Sequence, residues 1–303
     1  MARGWNSAGT TALRLTWLAA RGAGAVSARL AGLPAARLWF TPWRVPLPDR
    51  ARAKQEEWLR GTTPLAVPFE GGELSGFSAG AGPVVLLVHG WGERAATLGG
   101  FVGPLVDAGY RVVAVDLPAH GSSPGTQTNA LEIAAALHEV ARAVDGVDGV
   151  IAHSMGAHGA VLALSEGLAA RGAALLAPAV RLEHGLDRFG SMFRLPPKAV
   201  DGLRATIERR FGRAVWRDLA ADRLAQTIEC PTLIVHDRED TQVDLDDARL
   251  LAGAWRGARL HVTTGLGHNK PVRNAEVIAA AVAFVDEVIR KRSSAGLATT
   301  HAS

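Results

Sequence analysis

The chain has one cysteine, Cys230, in 303 residues. That excludes an internal disulfide and any zinc site built on cysteines. Cys230 precedes Pro231 at the start of an apolar run, which suits a buried structural thiol better than a nucleophile. Long hydrophobic runs are also missing: no stretch reaches the roughly 18 uninterrupted apolar residues of a membrane span. There is no block of basic residues either. The net charge is +4, and arginines are scattered through the chain. A nucleic-acid-binding surface is therefore not indicated. The most local absence is acidic: residues 1–48 contain no Asp or Glu, while Arg3, Arg14, Arg21, Arg29, Arg37 and Arg44 recur.

At 48% hydrophobic and 20% charged, the composition suits one large globular domain, or one domain with an appendage. Residues 1–60 read as the appendage. At about 100° per residue, Arg14, Arg21 and Arg29 fall on one side of a helix and Leu15, Val26, Leu30 and Leu33 on another. Arg14 and Arg21 interrupt what would be the apolar core of a secretory signal, so the expected location is cytoplasmic. An acid-poor, arginine-rich start also has the look of a transit peptide. Two readings of the helix stand side by side: an amphipathic helix packed on the domain, or one lying on a membrane surface. Pro34, Pro42, Pro46 and Pro48 argue against a helix through the stretch that follows. It reads as a linker with aromatic anchors Trp39, Phe40 and Trp43, then a short helix over 50–60.

Residues 65–69 and 74–77 straddle Gly71-Gly72 and predict an antiparallel hairpin. From there strands and helices alternate. Strands are predicted over 84–88, 111–115, 147–152, 173–177, 232–235 and 259–262. Helices are predicted over 96–108, 129–144, 155–170, 245–255 and 272–290. Strands apolar on both faces, alternating with helices, indicate an α/β fold with a mostly parallel, doubly wound sheet. The series is interrupted at about 179–226 by polar, arginine-rich helices. Ligands bind beyond the carboxyl ends of such strands, so this insertion is placed to act as a lid. The domain then spans 61–292, with a small, polar, flexible tail over 293–303.

The chemistry centres on "AHSMG", residues 152–156. A polar His-Ser pair ends an apolar strand, flanked by the smallest residues. A serine on a sharp strand-to-helix turn needs small neighbours two residues either side, because the two backbones approach closely there. Three further segments stand around it in the chain: "LLVHGWG" at 86–92, "PTLIVHDREDTQVD" at 231–244 and "GLGHNKP" at 265–271. On these motifs, in this order, the chain resembles the α/β-hydrolase superfamily over roughly residues 65–288. It departs from the usual G-x-S-x-G by Ala152 in place of the first glycine, and by Asp237 where a glycine commonly stands.

The resemblance implies a cofactor-free serine esterase or lipase-like enzyme, with Ser154 as nucleophile, His268 as base and Asp240 as acid. Asp237, Glu239 and Asp244 lie close enough to Asp240 to compete for the last role. The backbone amides of Trp91 and Met155 would form the oxyanion hole. Asp116 and His120, in "DLPAHGSS", would brace turns near the site, and His89 the oxyanion loop. Trp91, Phe189, Met192 and Phe193 are candidate walls for an acyl group, or else simply bury the lid on the core. The remaining histidines show no ligand-like spacing, so no metal is expected. The expected substrate is a small-molecule acyl compound. Carboxylic esters lead, with lipid esters and thioesters included. An amidase or peptidase of the same fold, and a catalytically silent scaffold, are the alternatives. Nothing in the pattern assigns an oligomeric state.

Overall fold

A computed structural model describes residues 8–43 and 48–300. Arg3, Arg44 and Pro46 lie outside the described residues, as do the last three of the expected tail. The first helices are α1 (Ala8–Val26), α2 (Ala28–Phe40) and α3 (Asp49–Trp58). The expected linker through Pro34 is thus a correction: α2 runs through it. Proline costs a helix one backbone hydrogen bond. Here packing outweighs that cost, because Ala31, Ala35, Ala36 and Leu38 are all buried.

The central sheet has eight strands: β1 (Thr63–Phe69), β2 (Gly72–Ala79), β3 (Val84–Val88), β4 (Arg111–Val115), β5 (Gly149–His153), β6 (Gly172–Leu176), β7 (Thr232–Asp237) and β8 (Ala258–Thr263). Their order across the sheet is β1-β2-β4-β3-β5-β6-β7-β8. β1 pairs antiparallel with β2, and β2 with β4; the remaining pairs are parallel. The alternation within β3 shows why the apolar runs are continuous. Leu86 and Val88 face one buried cluster, while Val85 and Leu87 face another on the opposite side.

Helices cover both faces. Where one helix was expected over 96–108, a 3-10 stretch (Ala95–Phe101) leads into α4 (Val102–Asp107). Gly99 and Gly100 lie in the 3-10 part, and a Cβ at Gly99 would press on Trp58 at 2.9 Å. Then come α5 (Ala130–Ala143) and α6 (Ser154–Ser165). α5 opens on an Asn129 cap that accepts from the amides of Leu131 and Glu132. Between β6 and β7 the insertion carries α7 (His184–Phe193), α8 (Pro197–Phe211), α9 (Val215–Asp218) and α10 (Ala221–Leu224). α11 (Leu245–Ala254) follows β7, and α12 (Ala275–Thr300) closes the chain, its backbone helical well past the expected end at 290.

The appendage is not a separate arm, because α1 and α2 share a core with the insertion. Ala20, Ala31, Ala35 and Leu38 are buried with Leu186, Phe189, Ala199 and Leu203. The crossing of α2 on α8 is close: a Cβ at Gly32 would stand 2.6 Å from the Gly202 carbonyl, and one at Gly202 would overlap that of Ala28. Only glycine permits this approach. Trp17 Nε1–H donates to the Phe193 carbonyl at 2.7 Å. The rings of Trp39 and Phe189, and of Trp43 and Phe193, meet edge-on at 5.1 and 4.4 Å. The packed face of these helices is largely alanine and glycine, with Leu38 and Phe40 added at the end of α2, and the larger side chains Leu15, Val26, Leu30 and Leu33 are left exposed.

Candidate active site

β5 ends at His153 and α6 begins at Ser154, which sits at φ +52°. A non-glycine residue in the left-handed region stores strain, and here it aims the Ser154 side chain out of the strand-to-helix turn. The turn leaves no room: a Cβ at Gly156 would overlap the His89 carbonyl. Ala152 is fully buried.

Three side chains meet beyond the carboxyl ends of the strands. Ser154 Oγ–H donates to His268 Nε2 at 2.9 Å. His268 Nδ1–H donates to Asp240 Oδ2 at 2.7 Å. The other Asp240 oxygen accepts from the amides of Gln242 and Val243 at 2.7 and 3.0 Å. Burial alone would raise the Asp240 carboxyl, but the His268 hydrogen bond and charge, with these amides, hold it below its ordinary range. The His268 imidazole is lowered, first by burial and further by the nearby His153 charge.

The competing acids lie elsewhere. Asp237 is fully buried and accepts from Thr263 Oγ1 and from the amides of Glu239, Leu266 and Gly267. It thereby orders the loop that carries His268 without touching the ring. Asp244 pairs with Arg188 of α7, and Arg188 also reaches the Gln242 carbonyl. These bonds tie the insertion to the Asp240 loop, and His184 to Asp247 at 3.0 Å ties it to α11.

On the oxyanion loop, the Trp91 amide has no partner among the described residues, and the Met155 amide lies in the first turn of α6. His89 braces this loop. Its Nε2 accepts from Leu117 N–H at 2.9 Å, so Nδ1–H donates to the Gly90 carbonyl at 2.8 Å. Asp116 accepts from the amides of Ala95 and Ser122, both at 2.7 Å, and the His120 ring meets those of His89 and Trp91 edge-on.

Of the proposed acyl-pocket walls, Trp91 is half-buried at the oxyanion loop. Phe189 is buried against Trp39, Phe193 is half-buried between Trp43 and Phe189, and Met192 is 39% exposed. The phenylalanines therefore join the insertion to α1 and α2 rather than standing free.

One pair escaped the sequence reading. Glu93 Oε2 lies 3.0 Å from His153 Nδ1 and accepts from Gly90 N–H at 2.7 Å. His153 Nε2–H donates to the His268 carbonyl at 3.1 Å. The oxyanion loop, the elbow and the histidine loop are thus bridged by two side chains. The available signal was a carboxylate three residues after Gly90 and a histidine beside Ser154; no spacing rule connects them.

Comparison with known proteins bears on the family and the fold. The model of the alpha/beta hydrolase family matches residues 85–281, about two-thirds of the chain. A pimeloyl-(acyl-carrier protein) methyl ester esterase from Methylococcus capsulatus is 49% identical over 47 residues. That match spans 16% of this chain and only 18% of that protein. Among solved structures, an esterase from Pyrococcus furiosus superposes with a TM-score of 0.63 at 20% identity, covering 82% of this chain and 99% of its own. A putative lipase from Acinetobacter baumannii gives 0.62 at 18% identity, covering 82% and 98%. At such identities the structures establish the fold alone. With the family model spanning the sheet from β3 to α12, the chain belongs to the alpha/beta hydrolase family.

Proposed function

We propose that the protein is a serine hydrolase that cleaves carboxylic esters through an acyl-enzyme on Ser154. The observation that carries this reading is the unbroken hydrogen-bond chain from Ser154 Oγ through His268 to Asp240. In it, His268 Nε2 takes the Ser154 proton as Oγ attacks the ester carbonyl carbon. The carbonyl oxygen becomes an oxyanion facing the amides of Trp91 and Met155, which sets the Trp91 ring beside the acyl group. The tetrahedral intermediate collapses, the C–O bond to the alcohol breaks, and His268 returns the proton to the leaving oxygen. Water then repeats the sequence on the acyl-enzyme, releasing the acid and free Ser154. Asp240 holds Nδ1–H in place and stabilises the imidazolium formed in each half.

The local likeness to a methyl ester esterase favours esters over amides. A fluorophosphonate probe tests the reading. It should label the protein, and Ser154→Ala should abolish labelling. An unlabelled protein, or equal labelling of Ser154→Ala, overturns the proposal and leaves a silent scaffold as the better description.

A further inference from the structure

The outward face of α1 and α2 is built the wrong way round for water. Leu15, Leu18 and Val26 on α1 are 62%, 55% and 72% exposed; Leu30 and Leu33 on α2 are 63% and 72% exposed. They are five of the nine exposed large apolar side chains among the described residues. The positions are not scattered. At about 100° per residue, Leu15, Leu18 and Val26 fall within about 80° of one another around α1, and Leu30 and Leu33 within about 60° around α2. An ordinary surface helix turns such residues inward and leaves small or charged ones outside. Here Ala20, Gly24, Ala31, Gly32 and Ala35 are inside.

The charge at this face has one sign. Arg14 and Arg21 are exposed along one edge of the apolar arc of α1, and Arg29 and Arg37 lie on the exposed side of α2. No Asp or Glu occurs before Asp49. None of the four arginines makes an ion pair with another described residue. Arg21 instead rests over the Trp17 ring at 4.9 Å. A second copy of the chain, docked face to face, would bring arginines against arginines with no carboxylate from either helix to answer them. A surface that is apolar below and anionic above answers both features. No described helix is long and apolar enough to cross a membrane, so these helices would lie in the interface plane.

We infer that α1 and α2 dock the protein on anionic phospholipid bilayers, with leucines at the acyl boundary and arginines among the phosphates. The docked face belongs to the same packed unit as the insertion, and α2 leads to Trp43, whose carbonyl stands 2.9 Å from the place of a Cβ on Gly92 in the oxyanion loop. Docking is independent of Ser154 chemistry, so it can be tested with an inactive chain.

The test is cosedimentation of the full chain with vesicles of phosphatidylcholine alone, and of phosphatidylcholine with about one-third phosphatidylglycerol. The full chain, and equally Ser154→Ala, should pellet with the anionic vesicles and release at high salt. The double variant Leu30→Ser/Leu33→Ser should lose binding by about tenfold or more, with an unchanged melting temperature because both side chains are already in water. Replacing Arg14, Arg21, Arg29 and Arg37 with Gln should remove the preference for anionic vesicles. Absence of pelleting, or pelleting that ignores the leucine substitutions, overturns the inference. So does a lipid-free dimer that the same leucine substitutions disperse, which would assign the face to a second copy.

Discussion

Glu93 and His153 form an ion pair at 3.0 Å, with His153 wholly buried. Both His153 ring nitrogens face acceptors, the Glu93 carboxylate and the His268 carbonyl. Two donors on one imidazole require the imidazolium. Burial opposes that charge, but Glu93 outweighs it and raises the His153 pKa, while His153 in turn holds Glu93 down at about 2. A fixed cation therefore lies beside His268, where it favours the neutral imidazole.

Glu93→Gln should destabilise the protein by about 3 kcal/mol, because it strands a buried partner. The pH dependence has a definite sign. The raised His153 contributes fully below its ordinary 6.5 and loses its contribution as pH climbs through the folded value; the depressed Glu93 contributes fully above its ordinary 4.5 and loses it as pH falls toward about 2. The melting-temperature gap between wild type and Glu93→Gln should thus be widest between those two values and narrow on the alkaline side. A gap that is no wider between pH 4.5 and 6.5 than at the alkaline end of the folded range refutes the imidazolium.

The activity profile reports on His268. Its neutral form is the base in the proposed mechanism, and its pKa is lowered. On a p-nitrophenyl ester, kcat/KM should hold as pH falls to 6.5, the ordinary histidine value, and decline only below it. An acid limb centred above that value would contradict the arrangement.

Asp240 and Asp237 separate chemistry from scaffolding. Asp240→Asn should lower kcat by about a thousandfold or more through loss of the His268 tautomer, with little change in melting. Asp237→Asn should do the opposite. It loses acceptor strength toward Thr263, Leu266 and Gly267, costing about 2 kcal/mol of stability with a smaller loss of kcat. Kinetics and melting on the two variants decide it, and equal kcat losses would reassign the acid.

The elbow tolerates change on one side only. Gly156→Ala should cost about 3 kcal/mol or more, since its methyl meets the rigid His89 carbonyl. Ala152→Gly should cost about 1 kcal/mol, the conformational freedom of glycine in a strand, and leave kcat within a few-fold. Denaturant unfolding of both variants measures the contrast; equal costs would mean that Ala152 is under strain of its own.

Most strands and the turn at Ser154 were legible because they rest on local rules, while Asp240 and His268 came from the resemblance to the family's motifs. Continuous apolar runs mark buried strands, and small residues around Ser154 mark a tight turn. What was not legible depends on distant neighbours. Pro34 signals a break, and only the packing of Ala31 and Ala35 beside the Gly32–Gly202 crossing shows why α2 survives it. Leu30 and Leu33 have the spacing of a buried stripe, and nothing local says that the alanines go inward instead. The resemblance puts Asp240 ahead of Asp237, and their separate partners become visible only when β8 and the His268 loop arrive beside them.

The contact of Gly32 on Gly202 couples two parts of the chain mechanically. A movement of α7 and α8 that left α1 and α2 behind would have to break that crossing, the Trp17 bond to the Phe193 carbonyl and both tryptophan–phenylalanine contacts together. Any gating over Ser154 that displaces the insertion therefore carries the first two helices along as ballast, and whatever anchors those helices sets how freely the gate swings.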